Sequence, residues 1–190
     1  MDKLINIEKT FERVNSSGQK IDRREFDGCT FKNCDFSNTV FIQCVFMDCE
    51  FVDCNMAMAK FPASGLKTVI FRESKLLGIR FDECEDFLFK VSFTDCVLDY
   101  SWFTRRKMQK TPFINCSLKE VNFAGADLSA AVFGNANLQG AVFDTTILIG
   151  ADFSSAYNYS IDPELNSMKK AKFSLQAIHG LLEKYDIQID

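Results

Sequence analysis

The sequence predicts an all-β solenoid with square coils, in which four five-residue segments make one turn. Three observations support this: a large apolar residue recurs every five positions, a small residue precedes each one by two positions, and the remaining positions are mostly polar. Neither an α-helix nor a simple pleated strand has a period of five residues. We therefore expect one large and one small side chain of each segment to point inward.

The column of large residues has two series separated by one break. The first series covers residues 26–81, and Ile21 extends it backwards by one step. The next step falls on Asp86, and a second series covers residues 88–153. Phe alternates with Leu or Met through most of the column, and a segment centred on Leu88 keeps this alternation. We therefore interpret the break as a two-residue insertion near residues 85–87.

All eight cysteines stand in the small-residue column, where other segments carry Ala, Ser, Thr or Val. Structural zinc sites use closer pairs of thiolates, whereas the spacing of these cysteines is that of the repeat. We therefore expect buried, reduced and unreactive thiols that act as small hydrophobic residues. Cysteines one coil apart, such as Cys96 and Cys116, are placed so that a disulfide is geometrically conceivable, but the fold does not need one.

The repeat divides the chain into three parts. Residues 21–157 follow the register and make about seven coils, a rod about 33 Å long at the usual strand spacing. Residues 1–20 lack the register and are expected to cover the first coil. Residues 158–190 form a C-terminal capping and dimerisation segment, which starts with a helix at Asp162 and Pro163.

The C-terminal segment also contains an amphipathic pattern. Ala171 and Phe173 recover the spacing of one coil side. Ser174 is then a candidate cap for a helix that ends at Tyr185 and is weakened by Gly180 by about 1 kcal/mol. Its apolar stripe comprises Leu175, Ile178, Leu181, Leu182 and Tyr185. The tail alternates like a short strand, with Ile187 and Ile189 on one face.

Composition argues against several functions. The net charge of -4 argues against a nucleic-acid binder with a basic surface, and no apolar run is long enough to cross a bilayer. The charged N-terminal stretch is unlike a secretory signal, so we expect a cytoplasmic protein. The single histidine, His179, has no nucleophile motif beside it, and neighbouring carboxylates such as Glu25 and Asp27 occupy outward positions. We therefore predict neither enzymatic activity nor a metal or cofactor.

Three charged residues fall in inward positions, namely Arg24, Asp86 and Arg106. Arg24 lies near the first coil and Asp86 lies at the insertion, where solvent can reach both. A charge inside the rod would be costly, so Arg106 is the least expected of the three. Two interpretations remain open: a local bulge that lets Arg106 escape to solvent, or a functional protrusion.

Segments such as ADLSA, ANLQG and ADFSS resemble the motif of the pentapeptide-repeat proteins, over residues 21–157. This resemblance implies a right-handed quadrilateral parallel β-helix. GQKIDRREF at residues 18–26 and the ending LLEKYDIQI are similar to the quinolone-resistance (Qnr and MfpA type) members. That similarity implies a homodimer joined end to end. The expected interface is Leu175, Ile178, Leu181, Leu182, Tyr185, Ile187 and Ile189, unless the segment only caps its own rod.

The same resemblance implies that the protein imitates duplex DNA and binds a type II topoisomerase, gyrase or topoisomerase IV. One side of the predicted rod is acidic, through Glu50, Asp53, Glu73, Asp95 and Asp152. A full DNA mimic would need about three negative charges per coil, far more than this chain carries. Another side is balanced by Lys67, Lys90, Lys107 and Lys110. The alternative is a scaffold that binds another protein.

Overall fold

The computed structural model describes residues 4–188, which form a parallel β-solenoid of about eight coils. The predicted fold class is confirmed. Each coil has four sides, which we number from first to fourth in chain order, starting at residue 4. The strands are β1 Leu4–Ile7, β2 Thr10–Glu12, β3 Lys20–Asp22, β4 Arg24–Asp27, β5 Thr30–Lys32, β6 Val40–Ile42, β7 Val45–Met47, β8 Glu50–Val52, β9 Gly65–Lys67, β10 Val69–Arg72, β11 Val91–Thr94, β12 Phe113–Ile114, β13 Asp152–Phe153 and β14 Lys172–Phe173.

Successive coils pair side by side, always in parallel. The first side contains the sheet β1-β4-β7-β9, and the second side contains β2-β5-β8-β10-β11-β12 in spatial order, followed further along by β13 and β14. The third side is joined by single bridges, and the fourth side contains β3 and β6. Residues twenty apart are partners, as with Phe31 and Phe51. Equivalent residues therefore lie directly above one another.

Stacked phenylalanine rings fill the interior behind the second side. Nine rings follow one another with centroids 4.5–5.4 Å apart. Each ring also meets neighbours on adjacent sides edge to face, as Phe113 does with Phe123 at 5.7 Å. Offset stacks and edge-to-face contacts are both favoured aromatic geometries. One large residue per segment thus produces a continuous core.

Two kinds of turn connect the sides, and they explain the small-residue column. In a closed turn the small residue's own N–H donates to the carbonyl of the large residue, as Ala126 does to Phe123 at 2.9 Å. In an open turn a side chain from the next coil separates these two groups. The Ser64 hydroxyl accepts from the Cys44 N–H at 2.9 Å and donates to the Phe41 carbonyl at 2.8 Å.

Five cysteine thiols make the same donation as the Ser64 hydroxyl. Each donates to a carbonyl 23 residues earlier at 3.3–3.4 Å; the five are Cys29, Cys34, Cys44, Cys49 and Cys54. All eight cysteines are free and buried. Burial raises the pKa of the Cys49 and Cys54 thiols to about 12. The expectation of purely hydrophobic cysteines is thus corrected: the thiols also satisfy buried carbonyls.

The N-terminal residues form a coil of their own. β1 pairs with β4 and β2 pairs with β5, so residues 4–20 continue the solenoid instead of covering it as a separate cap. The sequence hides this coil because Asn6 and Ser16 occupy two of its large-residue positions. Asn6 is buried, and its side-chain amide donates to the Glu25 carbonyl at 3.5 Å. This coil accounts for eight coils where seven were predicted.

The C-terminal segment departs from the predicted α-helix. Residues 163–165 form a turn in which the Asp162 carboxylate accepts from the Glu164 N–H at 2.8 Å, so no helix starts there. Ser174 does cap a helix, accepting from the Ala177 N–H at 3.3 Å. Two 3-10 helices follow, Leu175–Leu181 and Glu183–Tyr185. No helix within residues 4–188 is long and apolar enough to cross a membrane.

Gly180 explains part of this difference. It is buried against Tyr159, and a Cβ at position 180 would lie 2.1 Å from the Tyr159 carbonyl oxygen. The Gly180 carbonyl also accepts from the Ile161 N–H at 2.9 Å. A helix-weakening residue is therefore required by this close approach. Ile187 and Gln188 are exposed and form no strand, and Ile189 lies outside the described residues.

The open-turn bridge predicts that Ser64→Ala destabilises the protein by about 2 kcal/mol, since two buried backbone groups lose their partner. Ser64→Cys should retain more stability, because a thiol can make the same bridge. Urea unfolding followed by circular dichroism measures both, with Ser160→Ala, whose side chain is exposed, as the control. Equal midpoints for Ser64→Ala and Ser160→Ala would contradict this role.

Candidate functional site

The five carboxylates of the predicted acidic side all lie on the second side of the rod. Glu50 begins β8 and Asp152 begins β13, whereas Asp53, Glu73 and Asp95 follow β8, β10 and β11. The structure thus brings four of them together on neighbouring coils. Asp152 lies further along, on the coil of β13.

Two of these carboxylates are engaged by cations of the protein itself. Glu50 Oε1 lies 2.6 Å from Arg72 Nε, and Asp152 Oδ2 lies 3.4 Å from Lys172 Nζ. Hydrogen bonds from Ser154, together with the Lys172 charge, lower the pKa of Asp152. Both carboxylates therefore attract an outside partner less than their positions suggest.

Asp53, Glu73 and Asp95 form what we call the carboxylate column. Each occupies the same corner of successive coils with a left-handed backbone, at φ 51°, 50° and 55°. All three are exposed, and none forms an ion pair within residues 4–188. Stacking places them about 4.8 Å apart along the rod. The column is thus a short row of negative charge on a rigid edge.

A neutral ladder extends the carboxylate column toward the C-terminus. The Asn115 side-chain amide donates to Asp95 Oδ1 at 2.9 Å, and the Asn135 amide donates to Asn115 Oδ1 at 3.1 Å. Asparagine tolerates the left-handed corner as aspartate does. The geometry of the row therefore continues after its charge ends.

The two-residue insertion distorts the first side of the coil formed by residues 84–105. Residues 86–89 make a tight turn, in which the Phe89 N–H donates to the Asp86 carbonyl at 3.2 Å. Phe87 and Leu88 project into solvent, with 69% and 63% of their surfaces exposed. The prediction that Leu88 is an inward centre is therefore wrong, and Phe89 packs against the core instead. We call residues 86–89 the projecting turn.

Arg106 fills the interior space beneath the projecting turn. Its Nε donates to the Phe81 carbonyl at 2.8 Å, and its Nη2 donates to the carbonyls of Cys84 at 2.6 Å and Glu85 at 3.3 Å. Only 3% of Arg106 is exposed. One guanidinium thus donates to the Cys84 and Glu85 carbonyls beside the irregular turn, and it shares the Phe81 carbonyl with the Cys84 N–H, which donates at 3.2 Å.

The charge of Arg106 is balanced at the surface. Its Nη1 contacts the Asp86 carboxylate, which otherwise faces water, and its guanidinium lies 4.3 Å from the centroid of the Phe89 ring. The expectation that a bulge lets Arg106 escape is wrong, because the bulge supplies the partners that keep it inside. Arg24, by contrast, is exposed as expected. The sequence held a signal for the pair of Asp86 and Arg106, because these two inward positions carry opposite charges and lie one coil apart.

The predicted dimer-interface residues lie at the C-terminal end, with unequal exposure. Leu175, Tyr185 and Ile187 are 86%, 49% and 56% exposed. Ile178, Leu181 and Leu182 are half-buried, and Leu181 packs against the core. Residues three apart eclipse in a 3-10 helix, so the predicted α-helical stripe is not one continuous face. His179 is exposed, and residues 4–188 contain no cluster of three or more acidic, His or Cys groups able to hold a metal.

The sequence and the fold both match known proteins. The model of the pentapeptide repeat region matches residues 24–103, and that of the pentapeptide repeats matches residues 92–135 and 126–157. Trypsin-treated QnrB1, a plasmid-mediated fluoroquinolone resistance protein, matches at TM-score 0.69 and 19% identity, over 95% of this chain and 100% of its own. HetL from the cyanobacterium Nostoc sp. strain PCC 7120 is involved in heterocyst differentiation regulation. It matches at TM-score 0.55 and 15% identity, over 89% of this chain and 88% of its own. These likenesses show a shared fold. No curated protein matches this sequence.

Removing the buried guanidinium should destabilise the solenoid strongly. We expect Arg106→Met to lower the free energy of unfolding by about 3 kcal/mol, because the Cys84 and Glu85 carbonyls lose their donor and the Phe81 carbonyl loses one of its two. Arg105→Met changes the exposed neighbour and should shift the urea midpoint little. Limited proteolysis of Arg106→Met should also cut first within the projecting turn. Indistinguishable midpoints for the two variants would show that Arg106 does not hold the insertion.

Proposed function

This chain belongs to the pentapeptide-repeat family, and from that premise we propose that it binds a bacterial type II topoisomerase, gyrase or topoisomerase IV, without catalysis or a cofactor. The carboxylate column carries this proposal. The column takes the place of a short stretch of one DNA strand on the positively charged topoisomerase surface that normally holds DNA. Such a partner is cytoplasmic, in agreement with the location expected from the sequence.

The local charge density of the column is comparable to that of a DNA strand. One strand carries a charge about every 3.4 Å along the helix axis, and the column carries one about every 4.8 Å. The three carboxylates stand on consecutive coils and have no ion pair among the described residues, 4–188, whereas Glu50 and Asp152 are engaged. The column is thus the part of the acidic side that supports a DNA-like contact, although the chain as a whole carries only -4.

Rigidity is the second support for the proposal. The column stands on a core of stacked rings and buried small residues, so binding requires little ordering of side-chain supports. QnrB1, a fluoroquinolone resistance protein, shares this architecture. A rigid rod that presents carboxylates at a fixed spacing suits a surface that binds DNA.

A scaffold that binds another protein is the second candidate. The neutral ladder of Asn115 and Asn135 favours it, because the negative charge stops after three coils. A partner with a short basic patch would suit such a column better than a long DNA channel. Titration of the topoisomerases distinguishes the two.

We propose that the C-terminal end joins two copies into a homodimer. Leu165, Leu175, Tyr185 and Ile187 expose apolar surface at this end of the rod. Apolar groups clustered at one end favour association more than a simple cap requires. Two rods joined there would place a carboxylate column on each arm.

The topoisomerase proposal predicts that purified protein changes gyrase supercoiling in a titration, with and without a quinolone. Asp53→Asn, Glu73→Gln and Asp95→Asn combined should weaken the effect at least about tenfold, and added salt should weaken it further. Glu8→Gln, Glu120→Gln and Asp144→Asn combined remove the same charge from exposed positions on other sides and should change it little. No effect and no binding at low salt, for gyrase and topoisomerase IV alike, would leave the scaffold as the function.

The dimer proposal predicts that Leu175→Glu with Ile187→Glu yields a monomer with an unchanged circular dichroism spectrum. Both side chains are largely exposed, so the charges should oppose association without disturbing the core. Sedimentation velocity at micromolar concentration measures the change, with Met58→Glu, exposed on another side, as the control. A monomeric unaltered protein would refute the dimer.

A further inference from the structure

Two adjoining cavities lie beside the projecting turn, away from the carboxylate column. The first, about 380 Å³, has an apolar floor that includes Phe89 and Met108. The second, about 390 Å³, shares the Lys90 and Val91 walls and continues toward the second side. Lysines surround both cavities: Lys67, Lys90 and Lys107 around the first, Lys90 and Lys110 around the second. We call this surface the lysine groove.

The charge of the lysine groove is positive although the protein is acidic. None of its four lysines forms an ion pair within residues 4–188. Three carboxylates lie near these lysines. Asp48 lines the first cavity, and Asp127 lies near Lys107. Glu85 and Lys67 both lie beside Gly65. Lys90 and Lys110 border the second cavity, whose lining contains no carboxylate from the described part of the chain.

Exposed apolar side chains border the same groove. Phe87 and Leu88 are mostly exposed at the tip of the projecting turn, and Met47 is 39% exposed across from them. Lys67 Nζ lies 5.1 Å from the centroid of the Phe87 ring. Arg106 contacts the Asp86 carboxylate at the start of the turn and donates to the Cys84 and Glu85 carbonyls before it, so the backbone that presents this apolar rim is held from inside.

We propose that the lysine groove binds an acidic peptide segment that carries a bulky apolar side chain. The apolar floor would take that side chain, and Lys90, Lys107 and Lys110 would meet the flanking carboxylates. A cluster of apolar anchors within a polar, charged rim is the usual composition of a protein-binding surface. A nucleic acid fits less well, because the basic surface is short and is bordered by Asp48 and Glu85.

This surface is distinct from the one proposed for topoisomerases. The carboxylate column stands where the strands of the second side end, whereas the lysine groove is lined by the first side and by the beginnings of β10 and β11. The column would attract a basic partner and the groove an acidic one. The protein would thus connect two partners of opposite charge.

The test uses fluorescence anisotropy of the full chain with a labelled peptide of alternating glutamate and leucine. We expect binding at low salt that weakens as salt rises. Lys90→Glu with Lys107→Glu should weaken it at least about tenfold. Lys169→Glu with Lys170→Glu, exposed on the same side three coils away, should leave it within about twofold.

The apolar part of the groove is tested separately. Leu88→Asn suits the left-handed backbone at this position, and should weaken binding severalfold, whereas Leu165→Asn at the C-terminal end should not. Replacing leucine by serine in the peptide should have the same effect as Leu88→Asn. No peptide binding at low salt would overturn the proposal. Insensitivity to the Lys90 and Lys107 reversal, or binding of a labelled oligonucleotide in preference to the peptide, would also overturn it.

Discussion

Pairing between neighbouring coils is the interaction on which the whole structure depends. The strands contain only two to four residues, so each is stable only with a coil above or below it. A twenty-residue register places equivalent side chains in vertical columns, and those columns form the core. The small-residue column belongs to the same constraint, because its hydroxyl and thiol groups complete turns of the preceding coil.

The insertion shows how this constraint tolerates an irregular coil. Two additional residues would misalign every later column if the distortion spread, yet Phe71 and Phe93 are again partners, and their rings stack at 5.4 Å. The two additional residues project into solvent as the projecting turn. Arg106 donates hydrogen bonds to the carbonyls of Phe81, Cys84 and Glu85 next to it. A buried charge is costly unless it is paired and hydrogen-bonded, and Arg106 has both the Asp86 carboxylate and three carbonyl acceptors.

Spacing predicted the columns, the square coil and the side on which each carboxylate lies, because stacking depends only on sequence separation. It could not predict features that depend on local chemistry. Asn6 and Ser16 concealed the first coil, since polar residues interrupt the apolar pattern. Leu88 fitted the alternation, but the tight turn exposes it and packs Phe89 inward. The close contact between Gly180 and Tyr159 is formed by residues far apart in the repeat, so no local pattern signals it.

Both proposed surfaces require that the rod remain one body across the insertion, because the carboxylate column and the lysine groove each span it. Native-state hydrogen exchange tests this claim most directly. If Arg106 joins the coils as described, the amides of β8 and β10, before the insertion, exchange with the free energy of global unfolding. The amides of β11 and β12, after the insertion, exchange with the same free energy. Separate exchange of the coils before residue 84 and after residue 90, with different opening free energies, would contradict the account.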